Sequence, residues 1–190
     1  DDPAPPQNDY YSRFIENEIR FSRPDSQKII LHPGSGSIRK NWPVSHYIEL
    51  FKLIIVEGMS PEILLGPADH NLSEIFAVSL PVESKVHKLN DLPDLVKVLK
   101  HSGGVIGNDS GVSHLSAFFG IPTVVIFGPS DPKRWKPFGR LVAVTRPETD
   151  CTPCFETEKS NCSEIKCLEL TTPEMIVRSL LNIKIKTAEK

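Results

Sequence analysis

Long apolar runs are absent from this sequence, and so is an excess of basic residues. The longest purely apolar runs, among them residues 53–56 and 124–127, have four residues each, whereas a membrane-spanning helix needs about 20. The 22 Lys and Arg residues are balanced by 24 Asp and Glu residues, which leaves a net charge of -2. General binding to nucleic acid requires a strong basic excess. We therefore expect no transmembrane segment and no nucleic-acid partner.

The composition is that of a folded domain. The chain has 190 residues and a mass of 21.2 kDa, which corresponds to one domain of ordinary size. Apolar residues make up 39% and charged residues 24%, which excludes bulk disorder. The 17 prolines are spread between short segments, as is typical of junctions between strands and helices.

Residues 1–26 differ from the rest of the chain, because they begin with an acidic, proline-rich stretch and carry six acidic against three basic residues. We interpret them as a linker with a short helix; a frayed domain start is the alternative. Residues 27–190 then form the folded domain. No charged start followed by an apolar stretch is present, so we expect no secretion signal. The start at Asp1 rather than Met suggests a fragment of a longer protein or a processed chain.

From residue 27 onwards, short apolar strands alternate with amphipathic helices. Strands are predicted at 28–32, 62–65, 85–89, 104–106, 123–127 and 141–144, and helices at 44–57, 72–78, 92–101, 112–119 and 173–181. Continuous β-branched strands separated by helices predict an α/β fold, a doubly wound parallel sheet with helices on both faces. In such sheets ligands bind at the carboxyl ends of the strands, so the loops there are the candidate sites.

The loop after the first predicted strand reads His-Pro-Gly-Ser-Gly and is followed by Lys40. Glycines such as Gly36 let backbone amides approach an oxyanion closely, Ser35 adds a hydroxyl, and Lys40 adds positive charge. The pattern predicts a phosphate-binding loop, although the Gly-Lys-Ser/Thr ending of a P-loop is missing. A tight turn with surface cations is the alternative.

The loop at residues 107–114 leads from a strand directly into a helix. The amino end of a helix carries unpaired amides and a partial positive charge, which favour bound anions. Ser110 and Gly111 are expected to hold phosphate there, and His114 either donates into the same cleft or packs against the helix. Asp109 could cap the helix, which is a common role for Asp at this position. It could instead accept hydrogen bonds from sugar hydroxyls. In that case it should point away from the diphosphate, because two negative groups that face each other repel.

Two further stretches stand out near the C-terminal part of the sequence. Residues 127–132 form a rigid Gly-Pro-Ser loop, which suggests a wall of a ligand site. All the cysteines lie within 17 residues, at Cys151, Cys154, Cys162 and Cys167. Paired cysteines can hold a structural zinc ion, but this spacing is not that of a common zinc ribbon, so free thiols and disulfides stay open.

These stretches together resemble glycosyltransferase family 9, the ADP-heptose:lipopolysaccharide heptosyltransferases. The resemblance rests on residues 31–36 with Lys40, on residues 108–115, on residues 127–132 and on the cysteine cluster, which occur in the order seen in that family. It implies the C-terminal, donor-binding half of a GT-B glycosyltransferase, with a Rossmann-like fold. Residues 1–26 would then be the interdomain linker.

The resemblance also implies roles for individual residues. Lys40 corresponds to a lysine on the donor diphosphate, and Asp109 to an aspartate on the transferred sugar. These two are the candidate catalytic residues. Candidates for contact with the nucleotide sugar are Ser35, Gly36, Lys40, Asp69, Asp109, Ser110, Gly111 and His114. Asp69 is the candidate ribose ligand, with Asn71 as the alternative, and the adenine is expected near residues 86–92.

The implied reaction is inverting sugar transfer from ADP-heptose, or a related nucleotide sugar, to a lipopolysaccharide-type, lipid-linked acceptor. Lys40 and the amides of Ser110 and Gly111 would stabilise the departing diphosphate, and no Asp-x-Asp metal motif is present, so no cofactor is expected. The acceptor site and the catalytic base would lie in an N-terminal domain outside this chain, leaving the chain alone inactive. The implied location is cytoplasmic, with peripheral contact at the inner face of the cytoplasmic membrane.

Three alternatives remain at this point. A nucleotide-binding module without catalysis would bind ADP without turnover. A nucleotide-sugar epimerase shares the doubly wound fold, but its catalytic glutamate and histidine pattern is not seen. A dinucleotide-dependent oxidoreductase would need an early GxGxxG after the first strand, which this sequence lacks.

Overall fold

The fold is built around a parallel β-sheet. The structure, a computed structural model, describes residues 27–149, 151, 153–155 and 166–188. Within this part of the chain the six strands are β1 (Lys28–His32), β2 (Ser60–Leu65), β3 (Val86–Lys88), β4 (Gly104–Asn108), β5 (Thr123–Ile126) and β6 (Val142–Thr145). They pair in parallel in the order β3-β2-β1-β4-β5-β6. This is the strand order of a Rossmann-like doubly wound sheet, so the predicted fold class is confirmed.

Helices connect the strands. Those that the structure describes are α1 (Val44–Val56), α2 (Ser73–Ser79), α3 (Leu92–Lys100), α4 (Gly111–Phe118), α5 (Pro132–Trp135), α6 (Lys166–Glu169) and α7 (Pro173–Ala188). Two short 3-10 helices, Ile38–Lys40 and Pro67–Leu72, follow β1 and β2. Each long crossover returns the chain to the same edge of the sheet, as parallel pairing requires.

The two faces of the sheet are covered by different helices, because successive strand residues point to opposite faces. Ile29 and Leu31 lie in one apolar cluster with Leu50 of α1 and Leu180 of α7. Ile30 lies in a second cluster with side chains of α3 and α4, such as Leu99 and Leu115. The continuous apolar sequence of β1 is therefore buried on both sides, as was predicted for a parallel sheet.

The strand register brings three loops to one edge of the sheet. His32, the last residue of β1, pairs with Gly107 of β4, and Asn108 pairs with Ile126, the last residue of β5. The loops that follow β1, β4 and β5 therefore leave the sheet side by side, at its carboxyl edge. This is where the sequence placed the candidate ligand-binding loops.

The predicted elements differ from the structure mainly at their ends. The helix predicted at 72–78 is α2, which begins one residue later, and β4 continues beyond residue 106 to Asn108. The short helices α5 and α6 were not predicted, since four residues carry no helical periodicity. No described helix is long and apolar enough to cross a membrane. The linker and helix predicted for residues 1–26 lie outside the described residues.

Candidate functional site

The three loops at the carboxyl edge line a cavity of about 330 Å³. Its lining residues are Gly36, Lys40, Asp109, Ser110, Gly111, His114, Ser130, Trp135 and Phe155. The cavity therefore brings together six of the eight predicted site residues. Two come from the loop after β1 and four from the segment after β4, about 70 residues later in the sequence. The two that do not line this cavity are Ser35 and Asp69. The volume falls in the range of small-molecule sites.

Lys40 supplies the positive charge of the cavity. It is the last residue of the 3-10 helix after β1, and its side chain is only 16% exposed. Its Nζ lies 3.2 Å from Asp109 Oδ2 and 5.3 Å from the centre of the Phe155 ring. The carboxylate and the ring together hold the ammonium group at the wall of the cavity. Cation–π contact with an aromatic face adds to the attraction between the charges.

The amino end of α4 faces the same cavity. Ser110 is the residue before the first turn, its backbone is extended, and its hydroxyl makes no capping hydrogen bond. The first amides of a helix have no partner within the helix, and here Ser110 and Gly111 line the cavity. Asp109 is not the helix cap, because it precedes Ser110 and its carboxylate pairs with Lys40. The arrangement offers unpaired donors to an anion.

His114 lies one turn into α4 and also lines the cavity. Its side chain is 44% exposed, and its Nε2 lies 3.9 Å from Asp109 Oδ1. The predicted alternative of a packing residue is therefore not what the structure shows. Asp109 therefore has Lys40 at one carboxylate oxygen and His114 near the other.

Asn108 joins the loops after β1 and β4, a role that the sequence did not predict. It is fully buried, and its Nδ2 donates to the carbonyl of Pro33 at 2.7 Å. Its Oδ1 accepts from the backbone amide of Trp42 at 3.1 Å and lies 3.2 Å from the hydroxyl of Tyr47. Because these partners flank Lys40 in the sequence, Asn108 fixes the segment that carries the cation to the strand that carries Asp109.

Ser35 stabilises its own loop and does not reach the cavity. Its hydroxyl oxygen lies 2.7 Å from the carbonyl of Ser37 and 2.6 Å from Asn41 Oδ1. Asp69 is also set apart, in the 3-10 helix after β2, and is only 8% exposed. It lies against Gly34, where any Cβ would overlap its carboxylate. Gly34 is thus required for this close approach.

A chain of buried polar groups runs behind the cavity. His32 Nε2 lies 3.9 Å from Asp69 Oδ2, and His32 Nδ1 lies 3.4 Å from the hydroxyl oxygen of Ser110. Burial lowers the pKa of His32 to about 4, so the ring is neutral at physiological pH. Burial also raises the pKa of Asp69. The neutral imidazole can orient the Ser110 hydroxyl without adding charge near a bound anion.

The loop after β5 forms the remaining wall, which the sequence predicted only in outline. The carbonyl of Pro129 accepts hydrogen bonds from the amides of Cys154 at 2.8 Å and of Phe155 at 3.0 Å. These bonds place the Phe155 ring beside Lys40. The next residue, Ser130, and Trp135 of α5 both line the cavity. The contact between Pro129 and Phe155 joins distant segments, so sequence patterns could not have revealed it.

The cysteine cluster is described only in part. Cys151 is exposed, Cys154 is half-buried and Cys167 is buried, whereas Cys162 lies outside the described residues. In the described part of the chain, no group of three or more His, Cys, Asp or Glu side chains could hold a metal ion. The possible zinc site needs Cys162 and stays a prediction.

The sequence matches the family model of glycosyltransferase family 9 (heptosyltransferase) over residues 6–164. The match covers most of the chain, and the chain belongs to this family. Lipooligosaccharide heptosyltransferase 2 of Haemophilus influenzae is 24% identical over 153 residues, which cover 77% of this chain and 44% of the relative. Lipopolysaccharide heptosyltransferase 2 of Escherichia coli is 30% identical over 112 residues, which cover 56% of this chain and 32% of the relative. The chain spans less than half the length of either relative.

Solved structures of glycosyltransferases share the fold. The E. coli ADP-heptose lps heptosyltransferase II has a TM-score of 0.68 at 22% identity, covering 95% of this chain and 53% of that one. A family 9 glycosyl transferase from Veillonella parvula has a TM-score of 0.72 at 18% identity, covering 93% and 51%. The E. coli heptosyltransferase WaaC with ADP has a TM-score of 0.68 at 20% identity, covering 91% and 48%. The sheet and helices of this chain are those of the GT-B-like members of the family.

Proposed function

We propose that this chain is the donor-binding part, the C-terminal half, of a heptosyltransferase, and that its cavity holds the diphosphate of ADP-heptose or a related nucleotide sugar. The observation that carries the proposal is the meeting of Lys40 and the amino end of α4 in one cavity. Family membership and the curated heptosyltransferases among its relatives support the same function. They favour sugar transfer over an epimerase or an oxidoreductase.

The proposed reaction is inverting sugar transfer, in which an acceptor hydroxyl attacks the anomeric carbon and the nucleoside diphosphate departs. Negative charge grows on the leaving diphosphate. The ammonium of Lys40 and the amides of Ser110 and Gly111 stabilise that charge, and donors held in place in this way each contribute about 3–4 kcal/mol. Asp109, which lines the same cavity and pairs with Lys40, accepts hydrogen bonds from the hydroxyls of the transferred sugar.

The nucleoside would extend towards β2 and β3, with the adenine near residues 86–92. Asp69 was the first candidate for the ribose, but its carboxylate lies buried against Gly34. Asn71, in the same 3-10 helix, is exposed. Its exposure supports Asn71 as the ribose ligand and gives Asp69 the role of supporting the loop after β1.

The remaining parts of the proposed enzyme belong outside this chain. The chain spans less than half of the two curated relatives compared above, so the lipid-linked saccharide acceptor and the catalytic base are assigned to the N-terminal half. Because that acceptor is linked to a lipid, the proposed enzyme would act in the cytoplasm, at the inner face of the cytoplasmic membrane. The 190-residue chain alone is then expected to bind the nucleotide without transferring sugar.

A thermal-shift panel tests the proposal. The 190-residue chain is heated with ADP, UDP, GDP, NAD and the corresponding nucleotide sugars. We expect ADP and ADP-heptose to raise the melting temperature and the other nucleotides to raise it less, because ligands stabilise the state that binds them. Stabilisation by none of these compounds, or by NAD alone, would contradict the proposal.

A further inference from the structure

Ser130 differs from the other buried serines near the sheet. It is 1% exposed, and within the described part of the chain its hydroxyl has no hydrogen-bond partner. The hydroxyls of Ser102 and Ser113 each donate to a backbone carbonyl at 2.7 Å, and that of Ser116 donates at 2.8 Å. Buried polar groups are nearly always hydrogen-bonded, and an exception inside a ligand cavity indicates a partner that arrives with the ligand.

The loop around Ser130 is held in place. The Pro129 carbonyl is bound by two amides, and Gly128 lies so close to Leu168 that a Cβ would collide with it. On the other side of Ser130, Asp131 caps α5 by accepting from the amide of Lys133 at 2.9 Å. Ser130 therefore lines the cavity from a loop that its neighbours hold in place, and no residue in the described part of the chain pairs with its hydroxyl.

The sheet order shows which part of the ligand lies there. Lys40 follows β1, the amino end of α4 follows β4, and Ser130 follows β5, which is the next strand away from β1. A nucleotide sugar is a linear series of base, ribose, diphosphate and sugar. If its nucleoside extends towards β2 and β3 and its diphosphate lies at Lys40 and α4, the sugar extends towards β5.

We propose that the hydroxyl of Ser130 forms a hydrogen bond with a hydroxyl of the transferred sugar. Trp135 then packs beside the sugar ring. The proposal rests on the proposed function and adds a residue that selects the donor sugar. A neutral serine suits a neutral sugar hydroxyl, which can both donate and accept, and the diphosphate is already supplied with a cation and helix amides. Trp135 is 41% exposed and lines the cavity, so its ring is accessible to the sugar.

Calorimetric titration of the 190-residue chain and its Ser130→Ala variant with ADP and with ADP-heptose tests this proposal. We expect unchanged affinity for ADP and about three- to tenfold weaker binding of ADP-heptose by the variant. Equal affinity of both proteins for ADP-heptose would overturn the proposal and leave the proposed function intact. An equal loss for ADP and ADP-heptose would assign the hydroxyl to the diphosphate and also overturn it. If the unmodified chain binds neither ligand, the proposed function fails and this inference with it.

Ser102→Ala is the matched control, since Ser102 is buried and hydrogen-bonded and does not line the cavity. We expect Ser102→Ala to lower the melting temperature of the free protein, whereas Ser130→Ala leaves it unchanged or raises it. Equal lowering by both would show that Ser130 has a partner in the free protein, against the proposal.

A series of ADP-sugars that each lack one hydroxyl gives a test in the unmodified chain. One member is expected to bind more weakly than its parent, and Ser130→Ala should no longer distinguish that pair. If the variant still distinguishes every pair to the same extent, no sugar hydroxyl contacts Ser130.

Discussion

Lys40 and Asp109, 69 residues apart in the sequence, form an ion pair at the wall of the cavity, with Nζ 3.2 Å from Oδ2. Both side chains are largely buried, at 16% and 8% exposure. Charges in such surroundings are screened less than charges in water. The pair orients the ammonium group before any ligand binds, and a bound diphosphate must share that ammonium with the carboxylate.

Replacing Asp109 with Asn should strengthen the binding of ADP. The change removes a negative charge that repels the diphosphate and competes for Lys40, and we expect about three- to tenfold tighter binding. The gain should be smaller for ADP-heptose, because the carboxylate also accepts from the sugar. Calorimetry with both ligands measures the two effects. Asp94→Asn, the same charge change at an exposed pair with Lys97, is the control. Weaker binding of ADP by Asp109→Asn would argue against this role of the pair.

Replacing Gly34 with Ala should destabilise the protein through Asp69. A Cβ at residue 34 overlaps the Asp69 carboxylate, and overpacking of this kind costs about 1–3 kcal/mol. In an Asp69→Ala background the same change should cost little, so that the two substitutions couple. Urea unfolding of the two single variants and the double variant measures the coupling. Gly36→Ala is the control, because apart from its two chain neighbours no residue lies within 4 Å of a Cβ built there. An equal cost in both backgrounds would rule out the contact with Asp69.

The folded protein should become less stable as the pH is lowered, because of His32. Burial lowers the pKa of His32 from 6.5 to about 4, so the unfolded chain binds this proton more readily than the folded protein. The contribution of His32 to the free energy of unfolding is therefore complete above pH 6.5. It is lost as the pH falls from about 6.5 towards about 4, by about 3 kcal/mol in all.

Urea unfolding at several pH values checks this prediction. Between pH 7 and pH 4, a His32→Gln variant should lose less stability than the unmodified protein, by about the contribution of His32. His101→Gln serves as the control, because His101 is exposed. If His32→Gln and the unmodified protein lose equal stability over this range, the buried neutral state assigned to His32 is incorrect.

Much of the fold could be predicted because its signals are local. The apolar residues of β1 and the periodic apolar face of α1 indicate their elements within a few residues. The glycines and the helix start also led us to predict ligand sites in the loops after β1 and β4, because both features favour anions. The structure shows that residues of both loops line one cavity, and the bound ligand stays a prediction. Their meeting in one cavity follows from parallel pairing, which brings the ends of these strands together.

The rest depends on contacts between distant residues. The position of Phe155 depends on the hydrogen bond that its backbone amide donates to the Pro129 carbonyl, and the role of Asn108 depends on partners near Lys40. Neither interaction leaves a periodic or compositional signal. The contact between the Asp69 carboxylate and Gly34 is of the same kind, since no sequence pattern indicates it. The ribose role of Asp69 or Asn71 stays a prediction.

The most direct test of the central claim is calorimetric titration of ADP into the 190-residue chain and into its Lys40→Ala variant. The account predicts that the unmodified chain binds one ADP and that the variant binds it at least about tenfold more weakly, as expected for loss of a charged hydrogen bond. Lys97→Ala, which removes an exposed lysine paired with Asp94, should bind ADP with unchanged affinity. Equal affinity of the unmodified chain and Lys40→Ala for ADP would contradict the account.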